Sequence, residues 1–306
     1  MYKTIAVSII LFTSIIYSQS TFTVATDGSG NYSSIAQINN AKLQSGDIVS
    51  FKANQQFSDA TLICQEGVTY NSVGSGQAII GDALTASFNT TININVEGVT
   101  LDNLKVYGYK NVTQFGSIIY VNKGNLIIKN CHIEGGYSDN IYETKGIRIE
   151  DTPSPVTAPI QITRNEITNC AYGIYWYKPF NADISYNKFH NLWRYPGYES
   201  VGGMSLFLVK GQDEAFDCKY TVNIHHNEIY DFEYAAFAVG ECSNFIVEYN
   251  NIHSNKDERI FQGGVGHGVV AKWTDDTHTS KDGPVGSIFR YNYVHDLKKY
   301  GEPGYT

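Results

Sequence analysis

From about residue 94 the chain keeps returning to one phrase: alternating apolar residues, an Asn, one variable residue and another apolar residue. It reads Val99-Thr-Leu-Asp-Asn103-Leu-Lys-Val106, Leu126-Ile-Ile-Lys-Asn130-Cys-His-Ile133 and Ile160-Gln-Ile-Thr-Arg-Asn165-Glu-Ile167. Four more follow: Ile184-Ser-Tyr-Asn187-Lys-Phe189, Ile224-His-His-Asn227-Glu-Ile229, Ile246-Val-Glu-Tyr-Asn250-Asn-Ile252 and Ile288-Phe-Arg-Tyr-Asn292-Tyr-Val294. Alternation at period two predicts short strands with one buried face. The Asn falls between two strands, where a tight bend needs a residue that tolerates left-handed backbone and bonds locally. Stacked Asn side chains can also bond along the stack. One such rung buries too little to stand alone, so the rungs must pile into a solenoid with a continuous interior.

The asparagines are 22 residues apart from Asn165 to Asn187, then 40, 23 and 42 apart. Bare rungs therefore alternate with rungs that carry loops, at about 190–202, 211–220, 254–267 and 274–286. Repeat proteins commonly place such loops around a binding face.

The opening Val24-Ala-Thr-Asp-Gly-Ser-Gly-Asn-Tyr-Ser-Ser-Ile35, followed by Leu43-Gln-Ser-Gly-Asp-Ile-Val-Ser-Phe51, resembles the amino-terminal cap and first turn of the pectate-lyase-like right-handed parallel β-helix proteins. With the repeat, the resemblance covers nearly all of the chain after residue 20. The Asp-Gly-Ser-Gly start is also similar to pectin methylesterases. The Gln-Asp-Thr-Leu and Leu-Gly-Arg-Pro-Trp segments expected of an esterase are missing, so that likeness stops at the cap. The resemblance implies an all-β fold, a single-stranded right-handed parallel β-helix solenoid with an N-terminal cap. It also implies that the Asn phrase spans the second and third strands of each rung. The first strands are then Gly146–Glu150, Gly173–Tyr177, Gly203–Leu208, Ala236–Val239 and Gly268–Lys272, side by side in one sheet.

Residues 1–20 carry one cation, Lys3, then an apolar run from Ile5 to Phe12 and small or polar residues to Ser20. That is the pattern of a secretory signal peptide, leaving residues 21–306 as one β-helix domain. No later run of about eighteen apolar residues offers a membrane span. The expected location is therefore secreted: extracellular, periplasmic or on the cell surface. Without Lys3 there are 21 basic residues against 30 acidic, which disfavours nucleic acid as a partner. A local basic groove or a bound divalent cation still admits an acidic polysaccharide. The five cysteines, Cys64, Cys131, Cys170, Cys218 and Cys242, are far apart and read mainly as small buried residues in a monomer. The chain ends at Thr306 soon after the Asn292 rung with no capping segment, so a C-terminally truncated solenoid is expected.

Alternation along the first strands turns Ile147, Ile149, Ile174, Met204, Leu206, Phe237, Val239 and Val269 inward. One outward column then reads Arg148, Tyr175, Ser205, Ala238, Val270, and the next Glu150, Tyr177, Phe207, Gly240, Lys272. Aromatic faces stack on sugar rings and charged ends fix their orientation, which suits a polysaccharide track. Such aromatics can equally ladder along a solenoid and stiffen it. Tyr175, Tyr177, Phe207, Lys178, Trp193, Arg194 and Glu150 are the expected substrate contacts.

A polysaccharide lyase would abstract the proton alpha to a uronate carboxylate while a cation neutralises that carboxylate. Lys272, Lys210, Lys178 or His267 could be the base, with Arg148 or Arg259 as a neighbouring cation. The catalytic set is therefore Lys272, His267, Lys210 and Arg148. A glycosidase would need two facing carboxylates, and Glu150, Glu241, Asp275 and Asp276 are the candidates. Asp275, Asp276 and Asp282 leave calcium open as a cofactor, without the regular loop spacing of a calcium site. His190, His253 and His295 recur three residues after a rung Asn, which marks a stack position rather than a zinc site. The competing reading is a non-catalytic glycan-binding or adhesive surface solenoid, because one scaffold hosts many functions.

Overall fold

The computed structural model describes residues 18–82, 90–108, 116–135, 144–150, 159–177, 181–192, 203–209, 221–232, 235–240, 244–253, 267–272 and 287–296. Strands pair in parallel throughout, in three long sheets of eight, ten and nine strands among these residues. After the first two strands, Thr21–Val24 and Ile48–Lys52, which pair with each other, consecutive strands fall in different sheets, and each strand inside a sheet pairs with its counterparts one rung earlier and one rung later. This is the parallel β-helix that the repeat and the resemblance imply. Sheet one holds the first strands, from Leu62–Ile63 through Thr90–Ile94, Ser117–Val121, Lys145–Ile149, Tyr172–Tyr177, Met204–Val209 and Ala235–Gly240 to His267–Lys272. Sheets two and three hold the strands before and after the Asn. The insertions expected between rungs lie almost wholly outside the described residues. Among those residues no helix is long and apolar enough to cross a membrane.

In-register stacking lines the interior with repeating columns. Ile92, Ile119, Ile147, Ile174, Leu206 and Phe237 form one in sheet one. Leu101, Ile128, Ile162, Ile184, Ile224 and Val247 form another in sheet two. All of these side chains are fully buried. Each contributes about 1.5–3 kcal/mol of burial relative to exposure, so the core is a rod of branched aliphatics.

The cap explains the Asp-Gly-Ser-Gly motif. Asp27 Oδ1 accepts hydrogen bonds from Ser29, while Oδ2 accepts from Lys52 Nζ at 2.7 Å and from Gln55 Nε2 at 3.0 Å. The Lys52 ammonium, helped by Ser29, holds the Asp27 carboxyl far below the usual range. A short helix, Ile35–Asn39, is capped by Ser34 Oγ, and Asp59 accepts from the Ile35 and Ala36 amides. The motif stitches the first turns together.

The bend between sheets two and three corrects the reading of the Asn. Its left-handed residues stand in one column: Asn103, Asn130, Arg164, Tyr186, His226, Tyr249 and Tyr291, with φ between 54° and 57°. Asn serves as the left-handed residue only in the first two. In the later rungs the Asn comes one position after the bend and is buried. The backbone amide and Nδ2 of Asn165 both donate to Asn187 Oδ1, at 2.9 and 3.0 Å. The same paired bonds run from Asn187 to Asn227, Asn227 to Asn250 and Asn250 to Asn292. Cys131 opens the ladder by donating its amide to Asn165 Oδ1. A bulky residue in left-handed backbone is strained. Face-to-face stacking of Tyr186 on His226, His226 on Tyr249 and Tyr249 on Tyr291, with centroids 5.0–5.2 Å apart, offsets that cost.

Asn227→Ala would leave unpaired the amide of Asn187, one of the two Nδ2 protons of Asn187 (the other stays on the Ile162 carbonyl at 2.7 Å) and the bond to the carbonyl of Ile184, which accepts from Asn227 Nδ2 at 2.9 Å. Three buried groups left unpaired at about 1–3 kcal/mol each predict a loss of at least about 3 kcal/mol. The urea midpoint should fall accordingly, and Asn292→Ala, at the described end of the ladder, should cost less.

Candidate functional site

The strands on which the sequence reading puts a groove floor lie side by side in sheet one, and the structure corrects their register. Tyr175 pairs with Phe207, not with Ser205, so the register column that holds the outward Tyr120, Arg148 and Tyr175 continues through the strand positions of Phe207, Ala238 and Val270. Ser205 is fully buried and its hydroxyl donates to the Ala236 carbonyl. It shares its register position with Gly146, Gly173 and Ala236, so the column holds small residues from Gly146 onward, after Ile118 one rung earlier. A Cβ at Gly146 would meet the Gly173 carbonyl oxygen at 2.7 Å and Ile167 Cγ2 at 2.8 Å. Aligning Gly203 with Gly173 is what shifts the sequence reading by two residues. Two positions on, Tyr177 is followed in register by Val209, Gly240 and Lys272, so Phe207 leaves that column as well.

The tight approach at Gly146 draws the residue before it into the protein. Lys145 is 2% exposed, the one lysine among the fully buried side chains. Its Nζ lies 4.7 Å from the centroid of the Tyr175 ring and 5.9 Å from that of Tyr172, and these two rings meet edge to face at 5.1 Å. Cation–π attraction between a desolvated ammonium and such rings is worth about 2 kcal/mol. One column over, Arg148 forms an ion pair with Glu150, and its guanidinium lies 6.0 Å from the centroid of Tyr120. Both members of the pair are partly exposed. Burial pushes the Tyr120 phenol up, the nearby Glu150 adds to this, and Arg148 opposes it. The result is two cations, one buried and one at the surface, among three tyrosines and one carboxylate on adjacent strands.

Of the expected site residues, Arg148, Glu150 and Tyr175 come together here. For Tyr177, Phe207, His267 and Lys272 the structure fixes the strand position alone. Lys178, Trp193, Arg194 and Lys210 lie outside the described residues, as do Glu241, Arg259, Asp275, Asp276 and Asp282. Arg148 is not a neighbour of Lys272 or His267: four strand steps separate their strands, about 19 Å at the usual spacing. It therefore cannot depress the pKa of either. Sequence reasoning missed Lys145, Tyr172 and Tyr120. The available signal was a lysine immediately before the first-strand glycine, in a column otherwise occupied by Ser117, Tyr172, Met204 and Ala235.

A second polar cluster lies on the outer face of sheet three. His132 Nε2 faces Glu134 and Nδ1 faces Glu166, each at 2.9 Å, and Glu166 also receives His190 Nε2 at 2.9 Å. An imidazole between two carboxylates holds both ring protons, and hydrogen bonding to Glu134 and then Glu166 raises the His132 pKa against the opposing effect of burial. Glu134 is lowered by its bond from His132. Burial pushes Glu166 up, but bonds from His190 and His132 outweigh it and its pKa is lowered. The ring fills the space between the carboxylates, which leaves no room for a sugar. The expected stack positions are seen here: His190, Tyr230, His253 and His295 stack in turn at 4.9–5.3 Å. Cys64, Cys131 and Cys170 are buried free thiols, and burial pushes Cys131 and Cys170 up to about 12.

Residues 161–301 match the family described as "Right handed beta helix region". A pectin methylesterase from rice weevil superposes with a TM-score of 0.53 at 10% identity, covering 90% of this chain and 88% of that one. A GH136 lacto-N-biosidase from Eubacterium ramulus aligns at 9% identity over 91% of this chain and 68% of that one, with a TM-score of 0.32, too low to bear on this chain. No curated protein matches the chain in sequence. The protein is thus a right-handed parallel β-helix, and the resemblance to the pectate-lyase-like superfamily holds at the level of fold.

The cluster on sheet three gives a pH prediction. Stability supplied by the raised His132 is complete below the ordinary imidazole value of about 6.5 and is lost as pH rises through its higher folded value. Stability supplied by the lowered Glu134 and Glu166 is complete above about 4.3 and is lost as pH falls through their folded values. The urea midpoint should therefore peak between these limits, and His132→Gln should flatten its alkaline fall.

Proposed function

We propose that this is an exported polysaccharide-active β-helix protein that binds an acidic glycan over the outer face of sheet one and cleaves it as a lyase. The pairing of Lys145 and Arg148 with Tyr120, Tyr172 and Tyr175 carries the reading. A guanidinium that already pairs with a carboxylate, that of Glu150, can exchange it for a uronate carboxylate, whose two oxygens match the guanidinium fork. Tyrosine rings on neighbouring rungs present apolar area to sugar faces. In the reaction, Arg148 neutralises the uronate carboxylate as charge builds on it. Tyr175, as its phenolate and with the Lys145 charge beside its ring, takes the proton alpha to that carboxylate. The bond to the leaving sugar oxygen then breaks, that oxygen takes the proton back from Tyr175, and a carbon–carbon double bond conjugated to the carboxylate remains. Lys145 is too buried to touch the polymer, so its part is to position Tyr175 and to supply charge.

The test is ultraviolet absorbance of the unsaturated product on pectate, alginate and chondroitin, with and without calcium, together with an assay for new reducing ends. Absorbance should rise on at least one uronate, and Arg148→Ala should cut the rate about a hundredfold or more. Tyr175→Phe should lower kcat with little change in KM. New reducing ends without absorbance would replace the lyase by a glycosidase. Neither signal, with glycan binding that depends on Arg148, would leave a non-catalytic glycan-binding solenoid.

A further inference from the structure

The bend between sheets two and three carries an arrangement that has no part in the site on sheet one. His225 ends the strand Val222–His225, and His226 follows it in left-handed backbone with φ 55°. That reversal turns two consecutive imidazoles toward each other. Nδ1 of His225 lies 2.9 Å from Nδ1 of His226, with the rings at 86°. The His226 ring is clamped between Tyr186 and Tyr249, with centroids at 5.0 and 5.2 Å and planes within 26° of parallel. On the far side of His225, Nε2 faces Asp183 Oδ1 at 3.2 Å.

We propose that His225 and His226 form an exposed two-nitrogen seat for a divalent late transition metal, Cu(II) above all, with Asp183 orienting His225. Two imidazole nitrogens that bind one metal at about 2.0–2.1 Å and at right angles stand about 2.9 Å apart. The pair already has that separation. Turning the lone pairs from each other toward a shared ion takes only rotation about the soft χ2 torsion of the rings. The Tyr186–His226–Tyr249 stack holds one ligand in place before the ion arrives, which reduces the ordering cost of binding. Metal-bound histidines usually donate their other ring proton to a carboxylate, and His225 has Asp183 in that position. Without metal, one of the facing nitrogens must carry a proton to bond the other, and the ion takes the place of that proton.

The donor set selects the metal. Imidazoles suit copper, nickel and zinc, and the order of affinity for a given site peaks at Cu(II). Among the described residues no three His, Cys, Asp or Glu side chains converge on one point. The remaining coordination positions therefore fall to water or to a ligand from solution, as a tetragonal ion accepts. Glu248, next in the column to His225, is held by Arg290 Nε at 2.7 Å and does not complete the site.

The experiment is titration of the protein, free of any polyhistidine tag, with copper sulfate, followed by calorimetry and by electron paramagnetic resonance at one equivalent. One ion should bind with a spectrum showing two nitrogen donors. His226→Gln should remove one nitrogen from the spectrum and weaken binding at least tenfold. Asp183→Asn, which leaves both ligands in place, should weaken binding about tenfold to a hundredfold. Unchanged thermal melting of both variants without metal separates this from loss of fold. Equal affinity and nitrogen count in His226→Gln and the unaltered protein would overturn the site, as would copper uptake no greater than that of the His225→Gln/His226→Gln double variant.

Discussion

Parallel, in-register stacking at about 4.7–4.9 Å per rung governs everything else in this protein. Each residue lies directly over its counterpart one rung earlier, so a side chain is selected by its column before it is selected by its sequence neighbours. Inside, the columns fill with Ile, Leu, Val and Phe because branched and aromatic side chains pack on a pleated surface. At the bends, the strand ladder cannot satisfy every backbone donor, and the asparagines take over. From Asn187 to Asn250 each buried Asn accepts two bonds from the preceding Asn and spends its own Nδ2 on the next Asn and on a rung carbonyl. The ladder therefore fixes both the register of the rungs and the position of the left-handed residue beside it.

The same stacking distinguishes the outer face of sheet three from the face of sheet one proposed to bind glycan. On sheet three the polar side chains satisfy one another along their columns. His132 and His190 share Glu166, Lys188 meets Glu228 at 3.4 Å, and His253 meets Glu228 at 3.4 Å. The rings of that face and of the Tyr186–Tyr291 column stack on each other, so their faces are already occupied. Sugar binding needs an aromatic face that is turned to solvent. On sheet one the described charged and aromatic side chains gather around Arg148, with Tyr120 and Tyr175 on either side of it in one register column.

Much of the fold was legible because period-two alternation and a recurring Asn are properties of the sequence itself. The errors came where one residue type serves two roles or where a count crosses an insertion. Asn103 and Asn130 adopt the left-handed conformation, while Asn165 and its successors bond along the ladder, and both kinds sit in similar phrases. Gly203 looks like the partner of Gly146 and Gly173, but it is Ser205 that stands in register with Gly173. Of the site, Arg148, Glu150 and Tyr175 were legible from alternation. Lys145 was not, because the burial of a lysine is decided by rings on the next rung and not by its own strand.

Distance along the solenoid settles how the remaining residues on sheet one relate to Arg148. Lys272 and His267 lie four strands away from it, so they cannot share one sugar with it. A polymer laid along the sheet crosses one rung about every 4.8 Å, and residues four rungs apart then meet different sugars of the same chain. On the proposed reading, Arg148, Glu150 and Tyr175 meet the sugar that reacts, while strand positions toward Lys272 hold the chain beyond it. Binding energy gained at such remote positions can be used to orient and strain the bond at the reacting one. A long sheet with one dense charged cluster is suited to that division of labour, which a compact pocket lacks.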